Sequence, residues 1–363
     1  MLHHMIAVIA GTRPDCIKQG PTVAALRARQ LPTRVILTGQ HSDLLRGTPA
    51  ETDLADSLSL GLRSTGDMIR WPLHATTLLR EALLGCDLVV VQGDTMSALA
   101  GARAAASLGI PLCHVEAGLR SGSLEDPFPE EGFRREITEL AAWHYAPTGH
   151  AAHQLLLEGV PRDAIVVTGN PVVSAIARYA AGKAQAADPL ILFTMHRREW
   201  QLAGIQGALD GLMQSAGVYP DVRFLWPVHP AVKLPSGWTV DVPRNVLLCP
   251  PLGYRETITT LRRSLGCATD SGGLQEESAT LGIPCAVLRH RTDRPESVSA
   301  GIARVYPPTR EGVVEGLRAL CEETMPREAC PIYGTVAAAD RVAAHIQQVY
   351  GCRTASTSSM FAR

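Results

Sequence analysis

Much of what this chain could be is excluded by what it lacks. It has no long basic run, and its 34 Lys plus Arg are matched by 35 Asp plus Glu, so nothing in its charge predicts nucleic-acid binding. Its apolar stretches are strand-sized, such as Leu88 to Val91, and its start lacks a signal-peptide core with a small-residue cleavage site. Neither a membrane partner nor secretion is expected, and the expected location is the cytoplasm. Its nine cysteines are an odd number without a C-x-x-C pair, which argues against a disulfide framework or a structural zinc. Neither H-x-x-x-H nor H-E-x-x-H occurs, so no metal site is predicted. G-x-x-x-x-G-K-[ST] is also missing, and G-x-G-x-x-G does not follow the first strand. A P-loop NTPase and a dinucleotide dehydrogenase both lose support.

What remains is a chain of 363 residues, 46% hydrophobic, long enough for two domains with their own cores. Short Val/Ile/Leu runs alternate with Ala-rich helical stretches almost from end to end. Met5 to Ala10, Arg34 to Thr38, Leu88 to Val91, Pro111 to Val115 and Ile165 to Thr168 read as buried parallel strands. After a polar interval at Ala180 to Asp188 the alternation restarts with Leu190 to Thr194, Arg223 to Val228, Val246 to Cys249, Cys267 to Thr269 and Cys285 to Leu288. The predicted fold class is α/β, with two Rossmann-like domains facing across a cleft: residues 1–178, then 179–345. Residues 346–363 are expected to pack back on the first domain and end in a mobile Ser/Thr-rich tail from Thr354 to Arg363. His3 and His4 belong to an exposed terminus.

The candidate site residues sit at strand ends, where open α/β sheets bind ligands. Asp94 and Glu116 follow adjacent apolar strands, and two crowded carboxylates would raise one another's pKa, as general acid and base work requires. Either alone would read as an ordinary turn former. Glu130 follows a loop stiffened by Pro127 and Pro129 and equally suits a plain helix first turn. Arg13 and, a turn later, Lys18 offer cations, although an isolated lysine there is more often a solvated helix residue. In the second half, Ser271-Gly272-Gly273 opens a helix whose bare N–H groups and dipole suit a diphosphate, with Glu277 a turn further on for ribose hydroxyls. Ser271 also fits a plain helix cap. His196 ends the first strand of the second half and has the pKa range for moving protons or binding a departing phosphate. His229, followed by a proline, reads as structural.

Taken in order, these segments resemble the UDP-N-acetylglucosamine 2-epimerase family of the non-hydrolysing type. The matching stretches are Gly11-Thr12-Arg13-Pro14 with Lys18, Thr38-Gly39-Gln40-His41, Gly93-Asp94-Thr95 and His114-Val115-Glu116-Ala117-Gly118-Leu119-Arg120. They continue with Pro129-Glu130-Glu131 and Arg134, His196-Arg197-Arg198-Glu199, and Thr269-Asp270-Ser271-Gly272-Gly273 with Gln275-Glu276-Glu277. Arg294-Pro295-Glu296 and Tyr333-Gly334 extend the match. The resemblance implies a fold of the glycosyltransferase B type and inversion at C2 of the sugar, through elimination of UDP and its re-addition. It implies no metal, no nicotinamide or other cofactor, and as partners a UDP-sugar and a second copy of the chain. By resemblance Asp94, Glu116, Glu130, His196 and Lys18 are catalytic, while Arg13, Arg134, Ser271, Gly272, Gly273 and Glu277 bind substrate. Three positions depart from the family pattern beside the expected pocket: Asp15 for Glu, Phe133 for Asn, and Trp200 after His-Arg-Arg-Glu. A hydrolysing outcome, a modified nucleotide-sugar and a glycosyltransferase of the same fold are the alternatives.

Overall fold

The computed structural model describes residues 5–40, 48, 50–64, 66–178, 188–196, 205–229, 232–234 and 242–360, the last nine as backbone. The chain divides into two units, Met1–Arg178 with Tyr333–Arg363, and Tyr179–Ile332. In the first, strands β1 (Ile6–Ala10), β2 (Thr33–Leu37), β3 (Leu58–Ser59), β4 (Leu88–Gln92), β5 (Leu112–Val115), β6 (Trp143–Ala146) and β7 (Ile165–Val167) form a parallel sheet in the order β3-β2-β1-β4-β5-β6-β7. Helices α1 (Arg13–Ala28), α2 (Ala50–Asp53), α3 (Arg70–Ala82), α4 (Met96–Ser107), α5 (Glu130–Leu140), α6 (Gly149–Leu157) and α7 (Pro171–Ala177) connect them.

Alternation of side chains along a strand explains why β1 is apolar throughout. Ile6, Val8 and Ala10 pack into one core layer, which includes Val23 and Leu26 of α1, while Ala7 and Ile9 pack into another with α3 and α4. A strand buried on both faces cannot alternate polar and apolar residues. Each Val or Ile so buried contributes roughly 1.5–3 kcal/mol.

The second unit repeats the plan. Strands β8 (Leu190–Thr194), β9 (Arg223–Pro227), β10 (Val246–Cys249), β11 (Gly266–Thr269), β12 (Cys285–Leu288) and β13 (Ala303–Tyr306) lie in the order β10-β9-β8-β11-β12-β13, again parallel. Its helices are α8 (Gln206–Val218), α9 (Tyr254–Arg263), α10 (Gly272–Leu281), α11 (Pro295–Ser299) and α12 (Arg310–Cys321). In both sheets the strand order reverses direction once, between β1 and β4 and between β8 and β11. Such a reversal opens a crevice at the carboxyl ends of the strands.

The expected boundary at residue 345 falls earlier, because the chain rejoins the first unit from Tyr333. The N–H of Asn170 donates to the Tyr333 carbonyl at 2.8 Å, and the Ser174 hydroxyl to that of Val336 at 2.8 Å. A Cβ on Gly334 would stand 2.8 Å from the Gly169 Cα, so a glycine is needed for this approach. Helix α13 (Ala338–Met360) then lays Val342, Ala343, Ile346 and Tyr350 into the core beside α1. Those spacings put the four on one helical face, which is what docks it. Backbone expected to be a loose tail is helical as far as Met360. His41, Arg197 to Trp200 and most of the polar interval after Ala180 lie outside the described residues. No helix among the described residues is long and apolar enough to cross a membrane.

Candidate active site

Helix α1 starts directly after β1 because Thr12 caps it. The Thr12 hydroxyl accepts from the N–H of Asp15, and Asp15 Oδ2 accepts from the N–H groups of Thr12 and Gly11 at 3.1 and 3.2 Å, and from the Thr95 hydroxyl at 3.1 Å. Burial pushes the Asp15 carboxyl up to about 6, its hydrogen bonds acting against that rise. The departure at residue 15 is therefore a capping acid that ties α1 to the β4–α4 turn. Arg13 is the first residue of α1 and is half-buried.

One turn on, Lys18 is buried rather than solvated. Its Nζ donates to both oxygens of Glu116, at 2.9 and 2.8 Å, and Gln92 Nε2 donates to Glu116 Oε2 at 3.1 Å. Glu116 has φ of +66°, in the left-handed region that a non-glycine residue enters at a cost of about 1–3 kcal/mol. The surrounding donors hold a strained acid in place, and such strain collects at functional sites.

Asp94 lies on the neighbouring turn. Arg134 Nε donates to its Oδ2 at 2.8 Å, while Arg134 Nη1 lies 3.3 Å from Oε2 of the fully buried Glu131, which also accepts from the N–H of Ser121. A Cβ on Gly93 would stand 3.9 Å from Glu116 Oε2, so the two acidic turns do adjoin. The structure adds the pairing: Lys18 faces Glu116 and Arg134 faces Asp94, so each acid has its own cation. His114 Nε2 lies 2.8 Å from the Gly93 carbonyl, and burial pushes its imidazole down to about 3, so it stays neutral. Glu130 opens α5 half-buried, after cis bonds to Pro127 and Pro129. Phe133 packs against the apolar layer that contains Ile137.

In the second unit, His196 follows β8 and Asp270 follows β11, paired strands with Thr194 opposite Thr269. Asp270 is fully buried; its Oδ2 accepts from the His196 N–H at 2.7 Å, and its Oδ1 stands 3.0 Å from His196 Nδ1. His229, read as structural, brings its ring centroid 5.6 Å from that of His196. Ser271 does cap α10, its hydroxyl accepting from the Leu274 N–H at 3.5 Å. The two glycines have different reasons. A Cβ on Gly272 would come within 2.7 Å of the Arg294 guanidinium, which Glu276 and Asp293 hold from behind. At Gly273 the nearest described atom to such a Cβ is Ser271 Oγ at 3.8 Å, an ordinary contact. Glu277 is buried on α10.

Sequence reasoning missed Gln92, Glu131, Asp270 as a partner of His196, and Arg294 beneath the glycine turn. Gln92 left a trace, as a polar residue at the end of an apolar strand. The others meet their partners only through the fold.

Paired acids and cations at one reversal point, with a histidine–carboxylate pair and a glycine turn at another, define an α/β enzyme of the two-Rossmann-unit class. The family model described as UDP-N-acetylglucosamine 2-epimerase matches residues 24–347, and the chain belongs to that family of isomerases. A protein from Ralstonia solanacearum named probable UDP-N-acetylglucosamine 2-epimerase is 35% identical, covering 95% of this chain and 99% of its own. The UDP-N-acetylglucosamine 2-epimerase of Neisseria meningitidis serogroup A is 31% identical over 87% of this chain and 91% of its own. A crystal structure of the Neisseria meningitidis enzyme bound to UDP-GlcNAc superposes with a TM-score of 0.84 at 28% identity, over 95% of this chain and 100% of that one. The Staphylococcus aureus MnaA–UDP co-structure gives 0.82 at 30% identity, over 96% and 97%.

Proposed function

We propose that the protein interconverts UDP-N-acetylglucosamine and UDP-N-acetylmannosamine, eliminating UDP to give 2-acetamidoglucal and adding it back. The observation that carries this reading is the buried Lys18–Glu116–Gln92 set beside the Asp94–Arg134 pair. A C2–H bond next to no carbonyl is barely acidic, so simple removal and return of the proton would be slow. In elimination a base takes the C2 proton, the C1–O bond breaks, and the electron pair leaves on the diphosphate as C1=C2 forms. A proton then arrives on the opposite face of C2 while the UDP oxygen rejoins C1.

In this reading Asp94, Glu116, Glu130 and His196 share the proton transfers and the stabilisation of the leaving group. Lys18, Arg13 and Arg134 supply cations for the diphosphate that departs, and Ser271, Gly272, Gly273 and Glu277 hold UDP. Relatives described as bound to UDP-GlcNAc or UDP support the substrate class. An NMR time course in deuterated water with UDP-N-acetylglucosamine alone tests it. The epimer should appear with deuterium at C2 and only trace free UDP. Product keeping its original hydrogen would overturn the mechanism, stoichiometric UDP with free N-acetylmannosamine would mean hydrolysis, and a requirement for an acceptor would mean glycosyl transfer.

The same reading takes the protein as a cytoplasmic homodimer. Eight described cysteines are free thiols, in keeping with a reducing compartment. Ile69 and Leu73, a turn apart at the start of α3, are 75% and 56% exposed, as suits a surface covered by a second copy. Light scattering at micromolar concentration should give twice the monomer mass.

A further inference from the structure

We infer that Asp270 is a positioning residue that holds His196 with its proton on Nδ1 and its Nε2 edge turned outward. This rests on the catalytic part proposed for His196, and it names the group that sets that imidazole's state. The geometry is a clamp of one hydrogen bond and one charge contact. Oδ2 of Asp270 takes the His196 backbone N–H at 2.7 Å, and Oδ1 stands 3.0 Å from ring Nδ1. The clamp spans β8 and β11, whose pairing puts Thr194 opposite Thr269, one residue before Asp270 and two before His196.

Exposure separates the two partners. The Asp270 side chain is fully buried, whereas 40% of the His196 side chain is exposed. Only 3.0 Å from Nδ1, the buried carboxylate charge of Asp270 favours the proton on Nδ1 and leaves Nε2 as the acceptor. A ring so arranged can take a proton at Nε2 and become an imidazolium beside the carboxylate, as a carboxylate-oriented histidine does in other acid–base sites. The same arrangement suits a group that meets a departing diphosphate. His229 is a further titratable group beside the ring. Burial and the neighbouring His196 push its imidazole down, which keeps a second positive charge away from the first. Both residues lie at the reversal point of the second sheet, next to the Ser271 turn.

The test begins with 15N NMR of histidine-labelled protein near pH 8, without substrate, the His196 signals being identified by their loss in His196→Gln. Wild type should show a protonated Nδ1 and an unprotonated Nε2. In Asp270→Asn that pattern should be lost and kcat should fall by about 10²-fold, the scale of a misplaced acid–base group, with the dissociation constant for UDP changed less than threefold. Asp270→Glu should recover part of both kcat and the Nδ1–H signature. A wild-type His196 that carries its proton on Nε2, or full kcat in Asp270→Asn, overturns the inference. The wild-type spectrum decides it even if the asparagine variant does not fold. Failure of the epimerase reading would show separately, as absence of deuterium uptake by the wild type.

Discussion

The two units share a strand order and differ in what they place at its reversal point. In the first, charged side chains face one another: Lys18 with Glu116, Arg134 with Asp94 and Glu131. In the second, the charges around the glycine turn are buried behind it, with Arg294 held by Glu276 and Asp293 and Arg289 by Asp293. One topology thus gives two crevices, and residue type decides that one presents paired acids and cations and the other a histidine–carboxylate pair beside a glycine turn. Topology fixes where a ligand goes and side chains fix what happens to it.

The comparison breaks most readily at the acids. Asp94→Asn or Glu116→Gln should lower kcat by about 10²-fold or more while UDP affinity, measured by calorimetry, stays within a few fold. Near-normal turnover in either variant would remove that residue from the chemistry. In the second unit the expected pattern reverses. Gly273→Asp sets a negative charge where the diphosphate would sit, and it should weaken UDP binding by about 10²-fold, or about 3 kcal/mol. A folded variant that binds UDP normally would show that the turn holds something else.

The units should also differ in their response to acid. His114 and His144 are buried in the first unit, and burial lowers their pKa values to about 3 and about 4 from 6.5. Their folded forms stay neutral while the unfolded chain takes up protons. Stability from this source is complete above about pH 6.5 and is lost as pH falls, at up to roughly 1.4 kcal/mol per unit for each histidine. Asp15, raised to about 6 from 3.8, works the other way: its folded form binds the extra proton, so its contribution improves as pH falls from 6 towards 4. Two losses against one gain leave a net loss of about 1.4 kcal/mol per unit between pH 6 and 4. Hydrogen exchange at pH 7 and 5 should show protection falling further in β4, β5 and β6 than in β8, β11 and β12; equal loss in both units would refute this.

Smaller effects sharpen the account of the glycine turn. Glu277→Gln should reduce UDP affinity by about 1.5–3 kcal/mol through lost charge-assisted bonds. Gly272→Ala should cost about 1–3 kcal/mol of stability, because the new methyl meets a guanidinium fixed by two carboxylates. Gly273→Ala, whose Cβ would meet Ser271 Oγ at an ordinary 3.8 Å, should leave the melting temperature within a degree or two. Equal effects of the two alanines would mean that Arg294 yields easily.

Local pattern carried the fold a long way. The runs that became β1, β4, β5, β8, β11 and β12 were legible because a strand buried on both faces must be apolar throughout, and a segment of four or five such residues needs no knowledge of its neighbours. The acids at the ends of β4 and β5, the histidine after β8 and the glycine turn before α10 were legible for the same reason, since strand ends are where parallel sheets meet ligands. Partners were not legible. Lys18 and Glu116 are 98 residues apart, His196 and Asp270 are 74, and no local signal in either segment names the other. The same holds for Asp15, which sequence places beside a pocket and the fold turns into a cap, and for the point of return at Tyr333: packing of residues 346–363 on the first unit was expected, but the chain rejoins it earlier. The sequence by itself determined two parallel α/β units and the acids, cations and glycines available to a site. Tertiary structure alone decided which charge meets which, because pairing depends on strand order and sheet register, and these bring distant residues together without leaving a mark on the residues between them.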